Sequence, residues 1–403
     1  MIAPGNNSDN VQLIAAIAHE IRNAPNQLIT FERFMEMALY YPGEGYYTHR
    51  VGLIGARGDF FTSPHLSPVF GELIGKQIAE FWERQGRPSS FEIVEIGAGQ
   101  GLLAGDILSS QRKNNPAFWQ ALSYTMVEVS ESLRLGQRRR LEALPDGAEL
   151  LAKTRWRSLE DFKPGEVTGC FLSNELLDAF PVHLIEVDQG NLYEIYVKLD
   201  EDKSGFEEER GPLSNPAITT YFEKVGLNLH EYADGYRTEV NLRALQWLEK
   251  VAESLHQGYV LTIDYGYPAA QRYHPLRSSG TLQCYFQHQV HADPYINIGR
   301  QDMTVHVDFT SLMQRGKELG LDNIGFTRQA LFLASLGLGD KLAEMSNPNY
   351  REQAGITTRQ LLAEREALQR LLNPSGLGNF GVLIQAKNVP ASEKPLTGLA
   401  LTL

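Results

Sequence analysis

Apolar side chains at positions 11, 14, 17, 18 and 21 of "VQLIAAIAHEIR" recur at the spacing of one helix face, so residues 11–22 are expected to be helical. A second helix is expected from Thr30 as N-cap, through Phe34, Met35 and Ala38, to a stop before Pro42. From "YYPGEGYYTHR" into "GDFFTSPHLSPVFGEL" the periodicity lapses and Gly, Pro, Tyr and Phe crowd together. This reads as an ordered loop, since so many aromatics would not be left in water. Helix resumes near Pro68 and runs to about Trp82. Strands are then expected at 91–96, 124–129, 149–155, 169–173 and 258–265, with helices at 102–112, 131–143 and 239–255. That alternation is the rhythm of a parallel sheet covered by helices. Two insertions interrupt it. Residues 182–199 pattern as a hairpin turning at Gln189-Gly190-Asn191, followed by the acidic loop "DEDKSGFEEERG", and residues 267–306 are rich in Tyr, His, Arg and Pro. A helix at 308–319, a strand at 322–328, further helices up to 372 and a last strand at 380–387 complete the pattern.

Composition narrows the class. A chain of 403 residues suggests two to three domains at about 150 residues each. Its apolar runs fall far below the ~18 residues of a bilayer span, so no membrane insertion is expected. "MIAPGNNSDN" has neither the basic and apolar regions of a signal peptide nor the arginines of a transit peptide, which gives a cytoplasmic expectation. Two cysteines, Cys170 and Cys284, make a disulfide framework improbable and suit a reducing compartment. The net charge of -12 speaks against nucleic acid as partner. The basic run Arg138 to Arg140 reads as a solvated helix face beside Leu133, Leu141 and Leu144.

Against this background "FEIVEIGAGQGLLAGDIL" stands out: an apolar strand ending at Ile96, then Gly97, Gly99 and Gly101, then an apolar helix. Strand, glycine turn and helix bring bare backbone against a ligand. A dinucleotide fingerprint wants glycine at its sixth position, where this chain has Leu102, so phosphate binding of that type is disfavoured. Glu95 precedes the first glycine by two residues, where a cationic ligand suits better than a phosphate. S-adenosyl-L-methionine, with an ammonium and a sulfonium, meets that requirement. Glu95, Gly97, Ala98, Gly99, Gly101 and Leu102 would form its cradle. Glu128, at the next strand tip, would accept both ribose hydroxyls. Ser158 and Leu159, after the third strand, fall where a backbone amide and an apolar side chain hold an adenine. Gly58, Asp59 and Thr62 of the aromatic loop would close over the sulfonium and exclude water.

Taken in order, "GYYT", "GDFFTSPHLSPVFGEL", "EIGAGQG", "SNELLDAFPVH", "IDYG" and "MTVHVDFT" resemble the MidA family of class I methyltransferases, over most of residues 30 to 387. The mitochondrial members of that family assist assembly of respiratory complex I. The resemblance implies an α/β fold with a Rossmann-like seven-stranded methyltransferase sheet, an N-terminal helical and loop cap and inserted substrate-binding elements. It implies S-adenosyl-L-methionine as donor and an arginine presented by a protein as acceptor. The family usually carries an aromatic pair after the glutamate of "NEFFDALP"; Leu176 and Leu177 stand there here, so packing of that loop is expected to differ. The chain then divides into a cap at 1–90, a donor-binding core at 91–181, a hairpin insertion at 182–238 and a core continuation at 239–266. A second insertion at 267–307 contributes the substrate cleft, 308–390 holds C-terminal helices and the last core strands, and 391–403 is a tail.

Methyl transfer from a sulfonium is an in-line displacement in which the protein chiefly positions the reactants. A guanidinium acceptor stays protonated in water and is best held by carboxylates. Asn174, Glu175 and Asp178 of "SNELLDAF" sit at the expected sheet edge, and Glu175 and Asp178 would share a face if they lay on one helical turn. Asp264, at the tip of "LTIDYG", and His306, as a wall residue or proton acceptor, complete the candidate catalytic set. Cys284, His288, His291 and His306 lack the usual zinc spacing, and no metal is expected. Two other readings stay open: an assembly factor that binds the donor but works by holding a partner, and a methyltransferase for a small molecule.

Overall fold

In a computed structural model of the chain, the residues described are 10–49, 62–202 and 205–401. The seven-stranded sheet comprises β1 (Phe91–Ile96), β2 (Leu122–Val127), β3 (Thr154–Arg157), β4 (Val167–Asn174), β5 (Leu255–Asp264), β6 (Asp322–Arg328) and β7 (Gly381–Lys387). Their order across the sheet is β6-β7-β5-β4-β1-β2-β3. The five strands from β5 to β3 run parallel, and β7 is antiparallel to both of its neighbours, so the fold is α/β with a mixed sheet. Every residue of β1 is buried, as expected for a central parallel strand covered on both faces.

The helices that frame the site are α1 (Val11–Asn23), α2 (Phe31–Tyr40), α3 (Pro68–Arg84), α4 (Leu102–Asn114), α5 (Glu131–Ala143), α6 (Leu242–Ser254), α7 (Phe309–Glu318), α8 (Gln329–Leu336) and α9 (Thr358–Leu372). Strand alternation assigns the sheet's two faces. Phe91 and Ile93 pack with Phe70, Ile74 and Ile107 of α3 and α4, together with Phe332 of α8 and Leu368 of α9. Val94 and Ile96 pack instead with Trp247, Val251, Phe309 and Leu312 of α6 and α7. The hairpin insertion builds a second sheet: its strands His183–Asp188 and Asn191–Leu199 pair with each other, with Ile29–Thr30, Phe206–Gly211 and Arg237–Val240. A separate apolar cluster joins that sheet to α1 and α2 through Ile17, Phe34, Met35, Val182 and Val197.

Two expected elements differ. The strand at 149–155 is in fact a short helix, Gly147–Ala152, followed by the four residues of β3. Asp146 turns the chain through a left-handed φ of 62°, which starts a helical turn before the strand can begin. The helix expected from 239 starts at Leu242, because Arg237–Val240 pairs as a strand and Asn241 caps the helix by accepting from Ala244 N at 2.9 Å.

Candidate active site

The parallel register brings the ends of β1, β2, β4 and β5 to one edge: Ile96 lies beside Val127 and Ser173, and Asn174 beside Ile263. The strand order reverses between β1 and β4, the position where open α/β sheets bind ligands. A cleft of about 1280 Å³ opens there, larger than the roughly 300–1,000 Å³ of a typical small-molecule site.

The glycine turn forms one wall. Gly97, Gly99 and Gly101 all have left-handed φ, at 74°, 51° and 72°, which glycine adopts without steric penalty. Gly97 N donates to Val127 O at 2.9 Å, locking the turn to β2. From α5, Gln137 Nε2 donates to Gly99 O at 2.7 Å and Arg140 Nε to Gln100 O at 3.0 Å. A Cβ on Gly97 would stand 2.7 Å from Leu176 Cδ1, whereas one on Gly99 would meet nothing within 4 Å. The space over Gly99 is a cradle that a side chain would fill. Gly101 caps α4 from behind the wall, with Gln137 Cγ 3.0 Å from where its Cβ would be.

Among the carboxylates that line the cleft, Glu95, Glu128 and Glu175 stand at the strand tips. Glu95 is buried and accepts from Tyr124 OH at 2.7 Å. Burial pushes its pKa up to about 8; the tyrosine pulls against that, while nearby Glu128 and Asp106 add to it. Glu128 accepts from Ser130 N at 3.0 Å, and burial raises its pKa against the opposing pull of the Ser130, Gly99 and Val129 amides. Glu175 adopts a left-handed φ of 53°, strained for a residue with a Cβ. Its Oε1 accepts from Ser63 N and Asn174 Nδ2, both at 3.0 Å, and desolvation pushes it up to about 8. Beside it, Asn174 Oδ1 is buried without a partner among the described residues. Closely set carboxylates of raised pKa, a glycine cradle and an orphaned acceptor suit a positively charged ligand.

Comparison with known proteins decides the class. The family model described as "Putative S-adenosyl-L-methionine-dependent methyltransferase" matches residues 73–327, well over half of the chain. The chain belongs to this methyltransferase family. Among relatives, the Drosophila melanogaster "Protein arginine methyltransferase NDUFAF7 homolog, mitochondrial" is 30% identical, over 76% of this chain and 70% of that protein. The Homo sapiens "Protein arginine methyltransferase NDUFAF7, mitochondrial" is 29% identical, over 88% of this chain and 80% of its own length. A Burkholderia thailandensis protein solved with S-adenosyl-homocysteine bound is 30% identical, with a TM-score of 0.84 over 100% of this chain and 98% of that one. This chain is a methyltransferase that uses S-adenosyl-L-methionine.

The structure gathers most of the sequence candidates onto the cleft wall: Thr62, Glu95, Gly97, Ala98, Gly99, Leu102, Glu128, Ser158, Leu159, Asn174 and Glu175. Gly58 and Asp59 lie outside the described residues. Four candidates take other positions. Gly101 packs on Gln137. Glu175 and Asp178 do not share a helical turn, because the left-handed Glu175 precedes the short turn Leu177–Ala179. Asp178 is off the wall, and burial together with the charges of Asp264 and Asp302 holds its pKa well above the usual range. Asp264 is fully buried and accepts from Leu176 N, Leu177 N and Tyr265 N at 3.1, 2.8 and 2.7 Å, so it shapes the loop that carries Glu175. His306 is buried behind Tyr265, ring centroids 4.2 Å apart, and burial next to Arg272 and Arg277 lowers its pKa to about 3. Ser158 offers no free amide either, since its N–H donates to Asp161 Oδ2 at 3.1 Å.

Sequence reasoning missed the opposite wall. Tyr40 and Tyr47 line it as a stacked pair 5.4 Å apart, Tyr40 OH donating to Ala179 O at 3.0 Å and Tyr47 OH to Asp302 Oδ1 at 2.7 Å. Arg243, Gln246, Trp247 and Lys250 of α6 line the floor. Their spacing of three to four was visible, but an amphipathic helix gives the same pattern.

Proposed function

We propose that this chain transfers the methyl group of S-adenosyl-L-methionine to an arginine side chain of a protein. The observation that carries this reading is the pair of acceptors at the tip of β4: Glu175, with Oε1 held by Ser63 and Asn174, and the orphaned Asn174 Oδ1. Guanidinium N–H groups are what such acceptors take up. The names of the Drosophila and human relatives, both protein arginine methyltransferases, support the same acceptor. Glu95, Glu128 and the glycine turn would hold the donor, which supplies the electrophilic methyl group. Glu175 would orient one guanidinium nitrogen toward it and receive the proton that nitrogen loses. Its raised pKa puts it near the value a general base needs, and two incoming cations would favour its ionised form. The seven strands, the cap formed by α1, α2 and Tyr40, and the insertions at 182–238 and 267–307 would be the methyltransferase core and its protein-binding additions. The buried thiols Cys170 and Cys284 fit a reducing cytoplasm.

The test is a labelled-methyl assay on cell extract with mass spectrometry of the product. Methylarginine in a protein, lost with Glu175→Gln, is expected. Methyllysine, a labelled small molecule, or label without dependence on Glu175 overturns the reading.

A further inference from the structure

Trp247 has no part in the account above. It is 6% exposed, lines the floor of the cleft, and its indole Nε1 is buried without a hydrogen-bond partner among the described residues. A buried indole N–H ordinarily finds an acceptor. An orphan on the wall of a ligand cleft points to an acceptor that the ligand brings.

The surroundings say which part of the ligand. Trp247 packs in one cluster with Val127 at the tip of β2, Leu176 after β4, and Leu159 in the turn after β3. One turn along α6, Lys250 Nζ donates to Phe162 O at 2.9 Å and holds that turn against the helix. Val129 and Leu135 line the same cleft next to Glu128 while 71% and 53% exposed. Apolar walls left in water beside a buried, unpartnered indole N–H suit a flat heteroaromatic ring with acceptor nitrogens at its edge. Of the amides in this turn, that of Ser158 is already engaged by Asp161. The ammonium and sulfonium of the donor are cationic and would repel an N–H.

We propose that Trp247 is an adenine-recognition residue, its Nε1–H donating to a ring nitrogen of the donor's purine. The indole then confers specificity for adenine, and the inference holds whichever acceptor is methylated.

The test uses the full chain and S-adenosyl-homocysteine, with its 1-deaza, 3-deaza and 7-deaza analogues, each lacking one ring nitrogen. Trp247→Phe keeps an aromatic ring and removes the N–H. Calorimetry is expected to show S-adenosyl-homocysteine bound about tenfold more weakly by the variant, the size of one hydrogen bond. One of the three analogues should be weakened by a similar factor on the wild type and by nothing further on the variant. The smaller ring leaves a cavity in the apolar cluster around Trp247, so the empty variant should melt lower, and affinity is compared well below its melting temperature. A second measurement needs no substitution: with 15N-tryptophan labelling, one of the four indole N–H signals should shift downfield on adding S-adenosyl-homocysteine and stay in place with that one analogue. Unchanged affinity in Trp247→Phe overturns the proposal. So does an equal loss with all four ligands, which would put the indole on the carboxylate or ribose, or an indole spectrum that no ligand alters.

Discussion

Replacing Gly99 with alanine separates folding from donor binding. In the empty protein the added Cβ meets nothing within 4 Å, so the folding penalty is confined to backbone strain at a φ of 51°. Left-handed backbone disfavours a residue with a Cβ by about 1–2 kcal/mol. At about 2 cal/mol/K of unfolding entropy per residue, that lowers the melting temperature of a chain this long by roughly 1–3 °C. If the turn holds the donor as proposed, the same Cβ would stand in the donor's path, and a methyl group there would deny close contact between ligand and backbone. A hundredfold loss of affinity, about 2.7 kcal/mol, is expected. Gly97→Ala makes the contrast: it carries similar strain, and its Cβ also strikes Leu176 Cδ1 at 2.7 Å, so its melting temperature should fall further. Calorimetry with S-adenosyl-homocysteine and thermal melts of both variants supply the numbers. If Gly99→Ala melts within a few degrees of wild type and binds within threefold of it, the glycine turn is not the donor cradle.

Other substitutions follow from the same geometry. Glu175→Gln should lower turnover by about 100-fold, within the range of a lost general base, while calorimetry shows donor affinity changed by less than about threefold. Asp264→Ala removes the acceptor of three buried amides and should destabilise the protein by about 3 kcal/mol in urea unfolding; activity lost at full stability would contradict its structural role. His306→Gln should leave turnover within about twofold, because the ring lies off the cleft wall; a large loss would restore the histidine to the chemistry. Glu95 sits at about 8 in the empty cleft, above the ordinary carboxylate value, so its stabilising contribution is present at low pH and lost as pH rises through 8. A cationic donor reverses this by pairing with the ionised form. The gain in melting temperature on adding S-adenosyl-L-methionine should therefore be larger at about pH 8.5 than at about pH 6, and a flat or falling gain refutes it.

The core of the fold was readable because its signals are local. An apolar run covered on both sides, three glycines and a helix are contiguous in the chain, and β1 with its turn emerges as written. The hairpin at 182–199 was equally plain, since Gln189 and Gly190 both take left-handed φ at its turn. What escaped depends on packing between distant segments. Asp264 and Asn174 are both polar residues at strand ends and look alike in sequence, yet one caps backbone amides and the other has an Oδ1 buried without a partner among the described residues. Only the path of residues 175 to 177 distinguishes them. His306 lies within an alternating stretch, and its enclosure by Tyr265 and Tyr267 comes from the second insertion folding back on itself. Trp247 was hidden because an aromatic on the buried stripe of a helix is usually core. It is core on one side and cleft floor on the other.

The cleft's floor and its opposing wall belong to different apolar clusters: the floor to the large sheet with α6, and the wall to α1, α2 and the small sheet. They meet through polar links such as Tyr40 to Ala179 and Arg243 to Glu32. Substitutions in clusters that share no residues add nearly independently. Descendants of this scaffold are accordingly free to diversify the wall that greets a new target while the nucleoside pocket is inherited intact, so drift in specificity need not erode the chemistry.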